Sequence, residues 1–525
     1  MTGQAGDNDR AAHTRVQKLK LLHYLFYPRN VAVIGASADV TKWGGLITNH
    51  VALGGFEGRL YPVNPKGGRI LGIKVYPTLA SVPEDEIDLV AICRPAPAVP
   101  DILQECATKK VKFVILITAG FAETGEEGRI LQQQVVEMAE ERGIGICGPN
   151  TMGILSNRAK LLALGSPIHV LSGGVSMISQ SGNIGLQLLA WAQEQGVGVN
   201  KFISSGNEGM YTMEDYLEYL EGDDGTRVIL LYLEGLEDPR RFLEAARRVS
   251  HKKPIVAFKA GKTDVGARAA MSHSGHLAGS EQIASAAFRQ SGVIEAETTG
   301  ELLDYAKAFE FLPVPKGNRV AIMTRGGGWG VITADACRSN GLELAELSAD
   351  TIEALDELLP PFWSRSNPVD LVGTFDLGVH AKTLSMLIDS DDVDAVISLG
   401  SMTGFSSSAG IVDMVRNLNP IGYVLNHMQR AFFIWWSSLM MTPQWLKTSW
   451  HLLSREHQFV RSVELHVEEL RKPVVSVSLM KEKRSHRGKR TVVTYTAPEQ
   501  ATKALAGLYR YHLYLKNGSR QDGCA

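Results

Sequence analysis

One histidine stands among residues suited to transfer chemistry rather than to packing. In Met271-Ser-His273-Ser-Gly-His276-Leu-Ala-Gly279, serine and glycine on both sides leave His273 little apolar surface to join. A lone histidine is most often packed or solvated, but these small neighbours free the imidazole to act as a nucleophile. The segment follows a β-branched run, Ile255 to Lys259, and a stretch rich in glycine and alanine over 260–270. A mobile loop is therefore expected, with a helix from about Ser280; His276 is left as an ordinary residue. An attacking imidazole needs a carboxylate on its other nitrogen to fix the tautomer. Glu234, directly after Val228 to Leu233, stands where such a group would sit, and Glu208 in Ser204-Ser-Gly-Asn-Glu-Gly209 is a second candidate. Glutamates after strands are also often simply solvated.

Two loops could hold the phosphate such a histidine would handle. Val175 to Ile178 leads into Ser179-Gln180-Ser181-Gly182-Asn183, and Arg319 to Thr324 into Arg325-Gly326-Gly327-Gly328-Trp329-Gly330. Small residues at a strand-to-helix turn expose free N–H groups at the positive end of the helix, a ready anion site. The following helices are expected from Leu186 and from near Val331. Neither loop matches GxxxxGK[ST], so no Walker-type nucleotide site is implied.

A third small-residue turn, Gly35-Ala36-Ser37, ends the run Val31 to Ile34. A dinucleotide site would add GxGxxG and an acidic residue after the second strand. Here that strand ends in Tyr61-Pro-Val-Asn64-Pro-Lys66, and a lysine in place of the carboxylate argues for a phosphorylated nucleotide such as CoA, with NADP next. Thr118, Ala119 and Gly120 in Ile117-Thr-Ala-Gly-Phe121, and Asn150 in Gly148-Pro-Asn150, follow later strands. Ligands of open α/β sheets bind at the carboxyl ends of strands, so these loops should border the same crevice, although Gly, Pro and Asn are also ordinary turn residues.

Behind these motifs, short apolar runs alternate with helical patterns, predicting parallel sheets with crossover helices. At 525 residues several domains are expected. We read 1–22 as a flexible lead-in, disordered or helical, 23–153 as a Rossmann-like domain and 154–312 as a second α/β domain. A third domain over 318–520 would end on a helix from Pro498, with Thr496 as its cap. It contains a helical insertion at about 401–470 that breaks the α/β rhythm. Within that insertion, Ile421 to Leu446 is apolar and aromatic, but Pro443 interrupts it and the uncharged stretch is shorter than the roughly 20 residues a spanning helix needs. Buried helices or an oligomer contact are expected there.

The net charge of -2 and the balance of 44% hydrophobic and 21% charged residues fit a soluble globular protein and imply no nucleic-acid surface. The five cysteines form no CxxC pair and no metal-ligand or disulfide spacing, so no metal site is expected. With a polar N-terminus that lacks a signal-like apolar run, they fit a cytoplasmic protein.

Taken in order, VAVIGAS (31–37), YPVNPK, ITAGFAETGEEG (117–128), GPNTMG (148–153), SQSGNIG, SSGNEG, YLEGLEDP (232–239) and SHSGHLAG resemble the ADP-forming acetate/acyl-CoA ligases and, more distantly, the α subunit of succinyl-CoA synthetase. The resemblance covers about residues 25–400 and resumes at Lys472. It implies a Rossmann-like CoA-binding domain followed by two flavodoxin-like ligase domains. CoA would contact Gly35, Ala36, Ser37, Asn64, Lys66, Thr118, Ala119, Gly120 and Asn150. Phosphate would contact Ser179, Gln180, Ser181, Gly182, Gly326, Gly327 and Gly328. His273 would take the phosphoryl group, steadied by Glu234. No ATP-grasp sequence follows the third domain, so the resemblance implies a separate ATP-grasp β-type subunit binding ADP/ATP with Mg2+, a hetero-oligomer, and a small carboxylic acid or its acyl-CoA as substrate. The chain departs from the family at Arg325-Gly-Gly-Gly-Trp-Gly330, where relatives commonly carry Asn-Ala-Gly-Gly-Pro-Gly, and in the insertion. A non-catalytic CoA-binding regulatory protein is the alternative.

Overall fold

The structure, a computed structural model, describes residues 15–168, 170–263, 265–266, 281–374, 376–400, 469–478 and 492–521. It divides into a larger unit, residues 1–306 with 517–525, and a smaller one, residues 307–516. His273, the expected insertion up to residue 468 and its aromatic run lie outside the described residues. Among the described residues, no helix is long and apolar enough to cross a membrane.

Five strands form the first sheet of the larger unit: β1 (Asn30–Ile34), β2 (Arg59–Val63), β5 (Leu89–Ile92), β6 (Phe113–Leu116) and β7 (Gly145–Cys147). A small hairpin, β3 (Arg69–Ile70) and β4 (Ile73–Lys74), follows β2. The order β2-β1-β5-β6-β7 is parallel throughout. NVAVI, LVAI and FVIL are buried along their whole length, as strands covered by helices on both faces must be. Helices α2 (Trp43–Leu53), α3 (Val99–Thr108) and α4 (Glu126–Glu141) provide that cover. The direction of winding reverses between β1 and β5, which opens a crevice at their carboxyl ends.

The second sheet has the order β14-β13-β12-β10-β11-β8-β9. Its strands are β8 (Gly153–Ser156), β9 (Leu161–Leu164), β10 (Ser172–Ser179), β11 (Val199–Ser204), β12 (Val228–Leu233), β13 (Ile255–Lys259) and β14 (Ile294–Glu295). Winding reverses again between β10 and β12, and α5 (Gly182–Gln195), α6 (Met213–Glu221), α7 (Pro239–Ser250) and α8 (Glu281–Ser291) make the crossovers. Local chemistry sets the helix starts. Thr212 and Asp215 form a reciprocal capping box on α6, and the Asp238 carboxylate accepts from the N–H groups of Arg240 and Arg241 ahead of Pro239 on α7. The β8–β9 pair is antiparallel, as is its junction with β11, so this sheet is mixed.

In the smaller unit a parallel sheet runs β16 (Glu343–Leu344), β15 (Arg319–Thr324), β18 (Ala395–Leu399), β19 (Val474–Val477), β20 (Val492–Tyr495), with β17 (Val369–Asp370) also on β15. Its described helices include α10 (Gly327–Ser339), α12 (Leu377–Asp389) and α13 (Pro498–Gln521), the last preceded by Thr496, whose N–H and hydroxyl both meet Gln500 Oε1. The α/β class read from the sequence is the class observed.

Three expectations need correcting. Helix α5 begins at Gly182 rather than Leu186, and α10 at Gly327 rather than near Val331. Glycine weakens a helix interior, but in the first turn the N–H groups have no intrahelical partner, so glycine does not end the helix there. The lead-in read as flexible over 1–22 is helical from residue 15: α1 (residues 15–26) buries Leu22, Leu25 and Phe26 completely. Their i, i+3, i+4 spacing makes one apolar face.

Next to α1 lies a buried ion pair. Lys201 Nζ, fully buried on β11, donates to Asp223 Oδ1 at 2.6 Å and to Tyr27 Oη at 2.9 Å. Asp223 Oδ2 accepts from Asn200 and Thr226. Burial alone would raise this carboxyl, but the hydrogen bond from Lys201, with that from Thr226, holds it below the usual range. Asp223→Ala leaves the Lys201 ammonium without its counter-charge. It is expected to cost about 3 kcal/mol, read as a lowered urea midpoint, whereas a loss under about 0.5 kcal/mol would show that the pair is not holding β11.

Candidate functional site

At the reversal point of the first sheet, β1 ends in Gly35, whose φ of +89 suits only glycine and whose Cβ would stand 2.5 Å from Cys93 O. Gly44 lets the first turn of α2 press on the same turn, since a Cβ there would lie 1.9 Å from Gly35 O. The N–H groups of Gly35 and Ala36 both donate to Val63 O, and Asn64 Nδ2 donates to Ala36 O at 2.8 Å. These residues therefore shape the turn, and their polar groups are spent within it. Ser37 Oγ accepts from Asp39 N, and Lys66 stands exposed on the turn after β2.

Beyond this turn opens a cleft of about 400 Å³. One wall carries Arg94 and Pro95 after β5, Thr118 and Ala119 after β6, and Asn150 to Met152 after β7. The facing wall is the start of α5, Gln180 to Asn183, and Trp43 from α2 closes one side. Thr118 Oγ1 donates to Arg94 O at 2.5 Å and Asn150 N to Thr118 O at 2.9 Å, so the three loops of the first wall are tied together. Among the described residues no carboxylate lines the cleft, while the exposed Arg94 and the first-turn N–H groups of α5 do; the field there favours an anion. Cys93 lines it too, but burial pushes its thiol up to about 12, so it carries no thiolate.

Where α5 begins, Ser179 Oγ donates to Ser181 O at 2.6 Å and is buried. A Cβ on Gly182 would meet Met152 Cγ at 2.0 Å, so glycine here allows the two walls to approach. The Gln180 side chain turns away from the helix start into the reversal point of the second sheet. Its Oε1 accepts from Glu234 N at 2.6 Å and Gly235 N at 3.1 Å, and its Nε2 donates to Gly235 O at 2.9 Å. Glu234 is thereby held at the end of β12, 7% exposed. From the other side, Lys259 Nζ at the end of β13 donates to the carbonyls of Glu234 and Ala260. Burial lowers that ammonium, with Glu234 acting in the opposite sense. The chain leading to His273 therefore departs beside Glu234.

A second clamp joins the sheets. Asn207 N donates to Pro149 O and Gly209 N to Gly148 O, while Asn207 Nδ2 reaches Glu123 and Gln132. Gly120 N donates to Glu123 Oε1 at 2.6 Å. Burial opposes ionisation of Glu123, but the bonds from Asn207 and Gly120 outweigh it and hold the carboxyl below its usual range. Glu208, the second carboxylate candidate, is 3% exposed and accepts from Ser205 Oγ at 2.7 Å.

The structure thus gathers Thr118, Ala119, Asn150, Gln180, Ser181 and Gly182 around one cleft, with Glu234 behind it. Gly35, Ala36, Asn64 and Gly120 act as scaffold, and His273 lies outside the described residues. On the smaller unit, Gly326 caps α10, and no described residue stands within 4 Å of a Cβ at Gly326 or Gly328, while one at Gly327 would meet Asp370 Oδ2 at 3.6 Å. Sequence reasoning missed Arg94 and Trp43 as lining residues. The signal for Arg94 was present, because the strand-end rule used for the other loops applies equally to the residue just after β5.

Three family models match the sequence: a CoA binding domain over residues 29–157, a succinyl-CoA ligase like flavodoxin domain over 172–309, and a ligase-CoA domain over 320–405. The α subunit of acetate–CoA ligase (ADP-forming) I from Pyrococcus furiosus is 46% identical over 406 residues, 76% of this chain and 87% of that one. Acetate–CoA ligase (ADP-forming) I from Archaeoglobus fulgidus is 43% identical over 71% of this chain and 54% of its own length. Among solved structures, the dinucleotide-forming acetyl-coenzyme A synthetase 1 of Ca. Korarchaeum cryptofilum, in complex with phosphate and ADP, superposes with a TM-score of 0.77 at 31% identity, covering 95% of this chain and 98% of that one.

Removing the Gln180 amide tests the clamp on Glu234. In Gln180→Ala the amides of Glu234 and Gly235 lose their acceptor, and their hydrogen exchange should accelerate about tenfold, for ~1.4 kcal/mol of lost local stability; unchanged protection at both would show that the clamp is not holding this loop.

Proposed function

This chain belongs to the ADP-forming acetate–CoA ligases, and on that footing we propose that it is the α-type subunit of an NDP-forming acyl-CoA synthetase that works through a phosphohistidine at His273. It is an acid–thiol ligase, interconverting acyl-CoA, ADP and phosphate with carboxylic acid, CoA and ATP. The non-catalytic alternative falls away, because the relatives matched over most of the chain are ligases. One observation carries the reading: a cleft with no carboxylate among the described residues of its lining, and with Arg94 and the start of α5 turned into it, is bordered by Gln180, whose amide clamps Glu234.

CoA takes the crevice at the carboxyl edge of the first sheet, where Lys66 and Arg94 supply cations for its phosphates. Inorganic phosphate rests on the N–H groups of Gly182 and Asn183 at the start of α5. A phosphate oxygen attacks the thioester carbonyl, the C–S bond breaks, and CoA leaves as the thiolate. The His273 imidazole then attacks phosphorus of the acyl phosphate, and the P–O bond breaks to release the carboxylate. Glu234, buried beside the departing loop, orients the ring and stabilises its positive charge. Carriage of the phosphoryl group to ADP, bound with Mg2+, falls to a separate ATP-grasp subunit in a cytoplasmic hetero-oligomer. In support, the Pyrococcus relative is named as an α subunit, whereas the matched portion of the Archaeoglobus relative is about half of a longer chain.

Incubated with an acyl-CoA and labelled phosphate, the chain should acquire base-stable, acid-labile label that His273→Ala abolishes; equal labelling in that variant would end the proposal. Arg94→Ala should raise KM for CoA about tenfold, or ~1.4 kcal/mol, with kcat nearly unchanged in steady-state assays. An unaltered KM would remove Arg94 from the binding site.

A further inference from the structure

Helix α2 opens on Trp43, and close backbone contacts fix that start. A Cβ on Gly44 would stand 1.9 Å from Gly35 O and one on Gly45 1.9 Å from Asp39 O, so the first turn lies directly on the turn after β1. Further along the helix, His50 Nδ1 meets Leu164 O, at the end of β9, at 2.6 Å. The residue after Leu164 is Gly165, and it seats the indole: the atoms nearest to a Cβ there would be Trp43 Cζ3 at 1.9 Å, Cη2 at 2.8 Å and Cε3 at 2.9 Å. Gly165 does not have a positive φ, so it is the ring of Trp43, and not the backbone, that requires glycine here. Trp43 remains 43% exposed while lining the cleft.

From this seat a line of contacts runs to the start of α5. Gly165 N donates to Met152 O at 3.0 Å, and the Met152 side chain packs on Gly182, where a Cβ would stand 2.0 Å from Met152 Cγ. Trp43, Gly165, Met152 and Gly182 therefore touch in that order. Attack on a thioester needs the phosphate oxygen about 3–3.5 Å from the carbonyl carbon. With phosphate on the N–H groups of Gly182 and Asn183, the acyl chain begins beside Met152, and added carbons extend along apolar surface toward the indole.

We propose that Trp43, seated on Gly165, sets the longest acyl chain this site accepts, with Met152 forming the near part of the same apolar subsite. The inference rests on the function proposed above. At about 400 Å³ the cleft lies near the small end of the roughly 300–1,000 Å³ that ligand sites span, and phosphate and the end of the CoA arm must share it. A short acyl group gains apolar contact with Met152 and the ring. A longer one has to displace the indole, which closely packed neighbours resist. Removal of the ring therefore lengthens the subsite, whereas a methyl group under it, at residue 165, pushes the ring into the cleft and shortens it.

The test uses the full chain with labelled inorganic phosphate and acetyl-, butyryl-, hexanoyl- and octanoyl-CoA, and reads the specificity constant for base-stable labelling relative to that for acetyl-CoA. Wild type should take butyryl-CoA within about tenfold of acetyl-CoA and octanoyl-CoA less well than butyryl-CoA by about tenfold or more. Trp43→Ala should raise the octanoyl ratio about tenfold, and Gly165→Ala should lower the butyryl ratio about fivefold, both variants being confirmed folded by circular dichroism. A purely structural role would slow all four thioesters alike and leave the ratios unmoved. Any pattern other than these two opposite shifts overturns the inference, while base-stable labelling of wild type leaves the phosphohistidine reading intact. Wild type that takes up no base-stable label from any of the four overturns both.

Discussion

The carboxamide of Gln180 is the contact on which the arrangement of the larger unit turns. Winding of the second sheet reverses between β10 and β12, leaving two loop ends side by side with exposed backbone donors and acceptors. One side chain satisfies three of those groups, the N–H groups of Glu234 and Gly235 and the carbonyl of Gly235. In a buried setting each such group left unpaired costs on the order of 1–3 kcal/mol, so the loops have one well-defined spacing. Because Gln180 immediately precedes the start of α5, the backbone that presents N–H groups to an anion and the backbone that carries Glu234 are held in common. The anion-ready start of α5 and the Glu234 carboxylate then share a single rigid reference.

Around that reference the electrostatics divide cleanly. The cleft has Arg94 and a helix start but no carboxylate on its lining among the described residues, while of the acids nearby Glu123 is held ionised by dense hydrogen bonding and Glu208 is buried, with its carboxyl raised. A phosphorylated ligand therefore meets no like charge at the surface it enters, and the acids that shape the site lie a layer beneath.

Most of this was legible from pattern. Strands of uniformly apolar residues such as NVAVI and FVIL announce a parallel sheet, and Ser179 to Gly182 announce an anion-ready helix start. What escaped had physical reasons. The starts of α5 and α10 lay several residues earlier than expected because glycine was read as a breaker where the first turn makes it harmless. The role of α1 was hidden because a short helix shows its worth only through partners distant in sequence, as Arg15 with Glu218 and Lys18 with Met210 O show. Gln180 looked like a phosphate ligand because sequence reveals that a residue stands in a loop but not which way its side chain points. Two-residue strands such as β14, β16 and β17 are too short for any periodicity.

Helix α1 deserves a last consequence. Its residues reach α6 through Arg15 and the β11–α6 turn through Lys18, while Tyr27, just beyond its end, meets Lys201 on β11, and the chain then runs directly into β1 of the first sheet. The leading segment is thus a tie-rod bolted at one end to the second sheet and continuous at the other with the first. A ligand settling between the sheets would encounter a gap of preset gauge, so accommodation of acyl groups of different bulk has to come from rotatable side chains such as Met152 and Trp43 rather than from the sheets moving apart.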